Sequence, residues 1–280
     1  GICEKVCPVI NQFEPRRPLE VYAAVNSNDE IRLASSSGGI FTMLAEYVLS
    51  VGGVVFGARF DENWEVMHDY TETPEALVAY RGSKYVQSRV GNTYVQAKKF
   101  LNEGRKVLYT GTSCQIAGLK RFLHREYDNL ISVDVVCHGV PSPLVWRTYL
   151  DYILKGSQTV NGENETVSSV TDRPKITGIS FRDKSTGWKN YRMLIHGKSL
   201  TKTDEDLALS SDNGHTEKVL LHEPHEQNLF MQVFLKDLCL RPSCSKCPSK
   251  SGRSGSDLTI ADYWGIAEHH PCLDDDKGTS

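Results

Sequence analysis

The chain has 280 residues, 39% of them hydrophobic and 24% charged, the balance of a globular protein with room for a sizeable core in one domain or two. A net charge of −3 supplies no field for nucleic acid or an anionic membrane, and no apolar run approaches the roughly 20 residues of a spanning helix. Eight cysteines in a chain this long read as metal or redox sites rather than the disulfide framework of a small secreted scaffold, which points to a reducing cytoplasm.

The chain opens on Cys3-x3-Cys7-Pro8, the second half of the ferredoxin run C-x2-C-x2-C-x3-C-P, whose loop wraps a cubic iron–sulfur cluster. The two cysteines that would precede Cys3 are not in the sequence, so residues 1–18 read as the remnant of a ferredoxin-like module. Residues 21–25 form an apolar run that predicts a short buried strand. Ser35-Ser36-Ser37-Gly38-Gly39 then leads into an apolar pattern that predicts a helix over residues 40–49. A strand pair is expected over residues 53–60 and 65–68 with its turn at 61–63. A helix over 93–102, a buried strand over 106–110, a helix from about 115 to 125 and a strand over 130–136 follow. This alternation argues for an α/β core with a mixed sheet and flanking helices.

A helix over residues 141–154 ends that core. Residues 155–171 and 201–214 are polar and read as linker or loop. Strands over 176–181 and 191–196, and a helix over 225–238, make a smaller C-terminal α+β region. The expected division is therefore 1–18, 19–155 and 156–280. The last seven residues read as stopping short of a closing element.

Cys114 and Cys137 each fall just past a predicted buried strand, where α/β folds present their ligand crevice. Two strand ends of one sheet can bring two thiols together, and Cys244 and Cys247 on a loop can supply two more. Four thiolates at one locus suit a 4Fe-4S cluster or a structural zinc, and spacing does not separate them. Cys239 and Cys272 read as spare thiols. A cysteine nucleophile at Cys137 with His138 as base is geometrically poor, because neighbours in a strand point to opposite faces. The Ser36, Ser37, Gly38 and Gly39 loop opens a helix and is a candidate anion cradle. Residues 81–88, with Gly82, Ser83, Lys84, Tyr85 and Gln87, combine cations, hydroxyls, an aromatic face and an amide suited to a phosphate-bearing ring such as a flavin dinucleotide. Neither stretch fits the G-x-G-x-x-G fingerprint.

Taken in order, these motifs resemble the beta subunits of coenzyme F420-reducing hydrogenases and of related formate dehydrogenases. The resemblance rests on Cys3 and Cys7, residues 36–41, 82–88, 111–115, 136–142 and 241–247, and the run from Asp257 to Trp264. It implies an iron–sulfur flavoprotein in which FAD exchanges hydride with a two-electron partner and single electrons with a 4Fe-4S cluster. Carried over by motif, Ser36 to Gly39 and Gly82 to Gln87 would line the flavin. Cys114, Cys137, Cys244 and Cys247 would ligate the neighbouring cluster, and Cys3 and Cys7 would belong to the module that passes electrons to or from a partner protein or subunit. Ser113, Ser249 and Ala261 depart from the family pattern. The small-molecule substrate, a deazaflavin or another two-electron acceptor, is left open, and no catalytic residue is singled out.

Overall fold

The structure, a computed structural model, describes residues 1–7, 10–156, 174–198 and 217–280. Its centre is a five-stranded sheet built on the sequence's most apolar runs. Strand β1 (Val54–Phe60) pairs antiparallel with β2 (Val66–Thr71) and parallel with β3 (Val107–Thr112). Strand β4 (Leu130–Val135) adds parallel to β3, and the short β8 (Leu258–Ile260) adds parallel to β4. The order is β2-β1-β3-β4-β8. Val54, Val55, Phe56, Val107, Leu108 and Tyr109 are fully buried, as strands covered on both faces must be.

The covering helices follow from their spacing. Thr93, Ala97 and Leu101 recur every fourth residue along α4 (Thr93–Asn102) and are buried, and Ile116, Ala117, Leu119 and Leu123 are the buried stripe of α5 (Ser113–Leu123). These two helices close one face of the sheet around Phe56 and Tyr109, while α3 (Ile40–Ser50) closes the other with Ala45 and Val48 against Val55 and Leu108. Two short helices, α1 (Ile2–Val6) and α2 (Asp29–Leu33), precede this core, and α1 lies against α5.

A second, antiparallel sheet holds β5 (Lys175–Asp183), β6 (Arg192–Lys198) and β7 (Glu217–Pro224) in that order. It packs with α6 (Pro143–Gly156) and α7 (Leu229–Leu235) around an aromatic core of Trp146, Tyr149, Phe181, Phe230 and Phe234. The chain then returns through α8 (Pro242–Ser245) and β8 to the first sheet and ends beyond α9 (Ile266–His269). The mixed α/β core and the smaller α+β region are thus as the sequence implies.

Several elements differ from expectation. Residues 21–25 are not a buried strand: Val21 is 79% exposed and Tyr22 71%. Only Ala24 finds a backbone partner there, exchanging bonds of 2.8 and 3.1 Å with Ser280. The final residues are not loose, since Thr279 is buried and Ser280 makes that pairing. The helix expected over 225–238 is only Leu229–Leu235, because residues 225–227 turn and the Asn228 side chain caps the Met231 N–H. Helix α6 starts at Pro143, since Pro is favoured in the first turn of a helix and residues before a Pro are steered away from helix. Strand β7 is not expected from the sequence; its charged, exposed start gives no alternating signal. Pro8 and the stretches 157–173 and 199–216, which include nearly all of the expected polar loops, lie outside the described residues.

Candidate functional site

Strands β3 and β4 run in register to their ends, with Thr112 opposite Val135. Cys114 and Cys137 each stand two residues beyond that last pair, so the parallel sheet delivers both thiols to one edge. Cys114 falls in the first turn of α5, which begins earlier than expected because Thr112 and Gln115 form a capping box. The segment carrying Cys244 and Cys247 is brought to the same edge by an antiparallel bridge between Pro141 and Leu240, extended by the Arg241 N–H donating to Val140 O at 3.0 Å. Gly139, at φ +151°, makes this approach feasible: a Cβ there would stand 2.6 Å from Leu240 Cδ1.

Cys114 and Cys137 each feel other thiols of the set. Partial burial raises the Cys114 thiol above its ordinary value, the Thr112 hydroxyl at 3.2 Å opposes, and Cys247 and Cys244 push the same way as burial. Burial, then Cys114 and Cys244, lift Cys137 to about 11. That is the reverse of an activated nucleophile. His138 turns elsewhere, its Nε2 lying 2.7 Å from Asp237 Oδ1 and its ring against Phe234. The thiols are free, and among the described residues no three side chains close up tightly enough to hold a metal ion. The donor set itself, four thiolates from three chain segments beside the Lys250 cation, fits a cubic cluster or zinc.

The two stretches expected to line a flavin meet. The Ser83 N–H donates to Ser36 Oγ at 2.6 Å. Gly82, Ser83 and Lys84 line a cleft of about 480 Å³ with Phe60, Trp64 and Phe181, a size and lining suited to a ring-bearing ligand. Burial pushes the Lys84 ammonium down to about 7 while it donates to the carbonyls of Arg81 and Gly82. Tyr85 turns into the aromatic core, its ring 4.7 Å from Phe234 and 5.5 Å from Phe181. Gln87 accepts from Arg241 and lines a second cleft of about 460 Å³ with Arg89 and Arg147. The Ser37 and Gly38 donors are spent on the chain's own tail, Ser37 Oγ to Thr279 O at 2.8 Å and Gly38 N–H to Ser280 Oγ at 3.0 Å. Gly38 has to be glycine for this, since a Cβ would stand 2.6 Å from Ala24 O.

Several groups at the site are not singled out by the sequence. Buried His68 sits 2.7 Å from Ser88 Oγ and 3.0 Å from Thr110 O, and Gln115 donates to the same Ser88 oxygen at 2.7 Å. Because a carbonyl only accepts, the ring carries its proton on Nε2, Ser88 donates to Nδ1, and the chain of bonds joins residues 81–88 to the turn holding Cys114. Arg182 and Lys184 are both buried. Alternation along β5 puts Phe181 inward and Arg182 outward, yet a register shift between Ser180 and Asp183 buries both.

The sequence matches the model of the C-terminal part of the coenzyme F420 hydrogenase/dehydrogenase beta subunit over residues 104–280, and the model of the N-terminal part of the same subunit over residues 21–93. The chain belongs to the coenzyme F420 hydrogenase/dehydrogenase beta-subunit family. All four proposed cluster cysteines fall in the C-terminal family match, and both stretches expected at the flavin fall in the N-terminal one. Among solved structures, a chain of the F420-reducing NiFe hydrogenase complex from Methanosarcina barkeri, in a xenon derivative, shares 17% identity with a TM-score of 0.46, over 80% of this chain and 64% of that one. The present chain thus spans under two thirds of that relative. A comparison with curated proteins finds no match. No helix among the described residues is long and apolar enough to cross a membrane.

Proposed function

We propose that this beta-subunit family member is a cytoplasmic electron-transfer subunit of an oxidoreductase. In this reading Cys114, Cys137, Cys244 and Cys247 hold a 4Fe-4S cluster, and the cleft along Gly82 to Lys84 with the adjoining Ser36 loop holds FAD. The two groups together convert between single electrons and hydride when bound. The observation that carries the reading is the convergence of four thiols from separate segments at the C-terminal edge of the β3–β4 pair, beside the cleft-bearing stretch.

The chain's own residues have defined tasks. The parallel register of β3 and β4 fixes the spacing of Cys114 and Cys137, and the Pro141 to Leu240 bridge sets the loop that brings the other two. Lys84 places a cation with a lowered affinity for its proton at the cleft, where it can neutralise an anionic ligand group. His68, Ser88 and Gln115 hold the cleft stretch and the Cys114 turn in one fixed relation. Cys3 and Cys7 belong to a further cluster module facing a donor or acceptor protein, and a small-molecule two-electron partner such as a deazaflavin exchanges hydride at the cleft.

The test is an anaerobic visible spectrum with iron, sulfide, zinc and flavin analysis on the full-length protein and on the Cys114→Ser, Cys137→Ser double variant. Flavin bands over a broad iron–sulfur shoulder, with about four irons lost in the variant, are expected, since a cubic cluster needs its thiolates. A colourless protein with stoichiometric zinc would replace this reading with a zinc-stabilised structural module.

A further inference from the structure

The electron-transfer reading gives no task to the second cleft, of about 460 Å³. Three arginines line it, Arg89, Arg147 and Arg241, with Glu65 as the one carboxylate in the wall. Their backbones are fixed by separate elements. Arg89 bridges to β2, its N–H donating to Val66 O and its carbonyl accepting from the His68 N–H, both at 2.9 Å. Arg147 stands one turn into α6, four residues after Pro143, and Arg241 follows the bridge between Pro141 and Leu240. Three segments distant in sequence thus bring cations to one cavity.

The acids present do not match them. Glu65 is shared, accepting from Arg147 and lying 3.5 Å from Arg89, whose Nη2 also donates to Asp61 Oδ2 at 3.3 Å. Arg241 donates only to the neutral Gln87 amide and meets no carboxylate among the described residues. Each guanidinium therefore gives a hydrogen bond to these residues through one of its three nitrogens, so most of its five N–H donors are left for water or a ligand. A concave surface with surplus positive charge draws anions, and the guanidinium fork matches two oxygens of one phosphate or carboxylate. The first turn of α6, through Ser142, Pro143 and Leu144, adds the positive end of a 14-residue helix.

The two clefts share no lining residue. The cleft at Gly82 to Lys84 has its own cations, Arg81 and Lys84, and three aromatic rings, whereas no aromatic ring lines the second. We propose that the second cleft is a separate oxyanion site, in which Arg89, Arg147 and Arg241 hold the phosphate or carboxylate group of a small molecule. The site stands on these contacts and not on the flavin reading. Its walls belong to the segments that carry the thiols: the Gln87 N–H donates to Pro141 O at 3.0 Å, and the Arg241 carbonyl accepts from the Cys244 N–H at 2.8 Å. A bound anion therefore sits on the chain that positions Cys137 and Cys244.

The test uses the full-length protein as wild type, Arg147→Gln, Glu65→Gln and, as a surface control, Arg125→Gln. Each is titrated by calorimetry at constant ionic strength with inorganic phosphate, malonate, riboflavin and FAD, with Tm as the folding control. Saturable binding of phosphate or malonate is expected, weakened tenfold or more in Arg147→Gln and unchanged in Arg125→Gln. Glu65→Gln removes the carboxylate that competes for Arg89 and Arg147, so it should tighten the same anion severalfold, a direction that loss of a merely structural ion pair does not give. Tighter binding of phosphate than of malonate supports the site with a phosphate-bearing ligand, and the reverse supports it with a carboxylate-bearing one. Binding of neither anion, or equal affinity in the wild type and Arg147→Gln, overturns the site. Displacement of the anion by FAD but not by riboflavin would give the cleft to the flavin's own diphosphate and overturn it as a separate site. If the anion binds and no flavin does, the flavin reading fails and this site stands. Should Arg147→Gln not fold, Arg241→Gln decides by the same tenfold criterion.

Discussion

The Ser83 N–H and the Ser36 side-chain oxygen lie 2.6 Å apart, a single bond that joins two loops 47 residues distant in sequence. One loop precedes α3 and the other follows a 3-10 turn over Glu75–Tyr80, whose Leu77 packs with Ala45 and Val48 of α3 in one apolar cluster. Removing the acceptor strands the Ser83 donor, which costs about 1–2 kcal/mol where water reaches the site only in part. Ser36→Ala should lower Tm accordingly and weaken flavin binding, while Ser36→Thr, which keeps the oxygen, should restore both. Equal Tm and flavin affinity in Ser36→Ala and the wild type would sever the proposed link between the loops.

Position separates the four cysteines proposed as ligands from two others. Cys239 sits among the apolar groups packed on the second core, and Cys272 is exposed beyond α9. Neither is among the charges that Cys114 and Cys137 feel, whereas Cys244 is felt by both. Cys239→Ser and Cys272→Ser should keep full iron and sulfide content, and Cys244→Ser and Cys247→Ser should each lose most of it. Iron analysis of the four purified variants checks this; full occupancy in Cys244→Ser would remove it from the ligand set.

Lys184 ties three separate segments. Its ammonium donates to Arg32 O at 2.6 Å, Lys277 O at 2.6 Å and Ser37 O at 3.2 Å, matching three donors to three carbonyls. Burial, then the Arg182 and Arg32 charges, push it down to about 8, so it still carries its proton at neutral pH. Lys184→Met fills similar space without donors and should cost about 3 kcal/mol, in the range for hydrogen bonds to a charged group. Hydrogen exchange should rise in residues 274–280 and 34–39 together. Loosening of either segment alone would mean that Lys184 does not couple them.

Which of these features the sequence discloses follows from the range of the interactions involved. The strands β1, β3 and β4 and helix α4 are legible because their burial is written as local apolar pattern, and the arrival of Cys114 and Cys137 at one sheet edge because each follows such a strand. The second half of the site is hidden for physical reasons. Arg182 lies where a β-bulge breaks the alternation that would have placed it at the surface, and Lys184 is buried among the carbonyls of Arg32, Ser37 and Lys277, all from distant segments. His68 reads as one polar residue in an edge hairpin, since its partners Ser88 and Thr110 come from a loop and a non-neighbouring strand. The occupation of the Ser37 and Gly38 donors by Thr279 and Ser280 is likewise beyond local pattern.

His68 provides a test in pH. Burial pushes its imidazole down to about 4, the Thr110 carbonyl opposing and the Lys84 charge adding to the shift. In the unfolded chain the ring titrates near 6.5, so between those values the unfolded state holds a proton that the folded state does not, and stability rises with pH. The contribution is complete above about 6.5 and is lost as pH falls towards 4, amounting to about 3 kcal/mol over the interval. Urea unfolding at a series of pH values should show this slope in the wild type and a flatter one in His68→Gln, which cannot take up the proton. The same variant breaks the bond to Ser88 or Thr110, so its unfolding free energy at pH 7 should also drop, by about 1–2 kcal/mol of lost hydrogen bonding. Parallel pH profiles for the two proteins would mean that the imidazole is not held neutral by burial, and that the Gln115, Ser88 and His68 chain does not fix the Cys114 turn to the cleft.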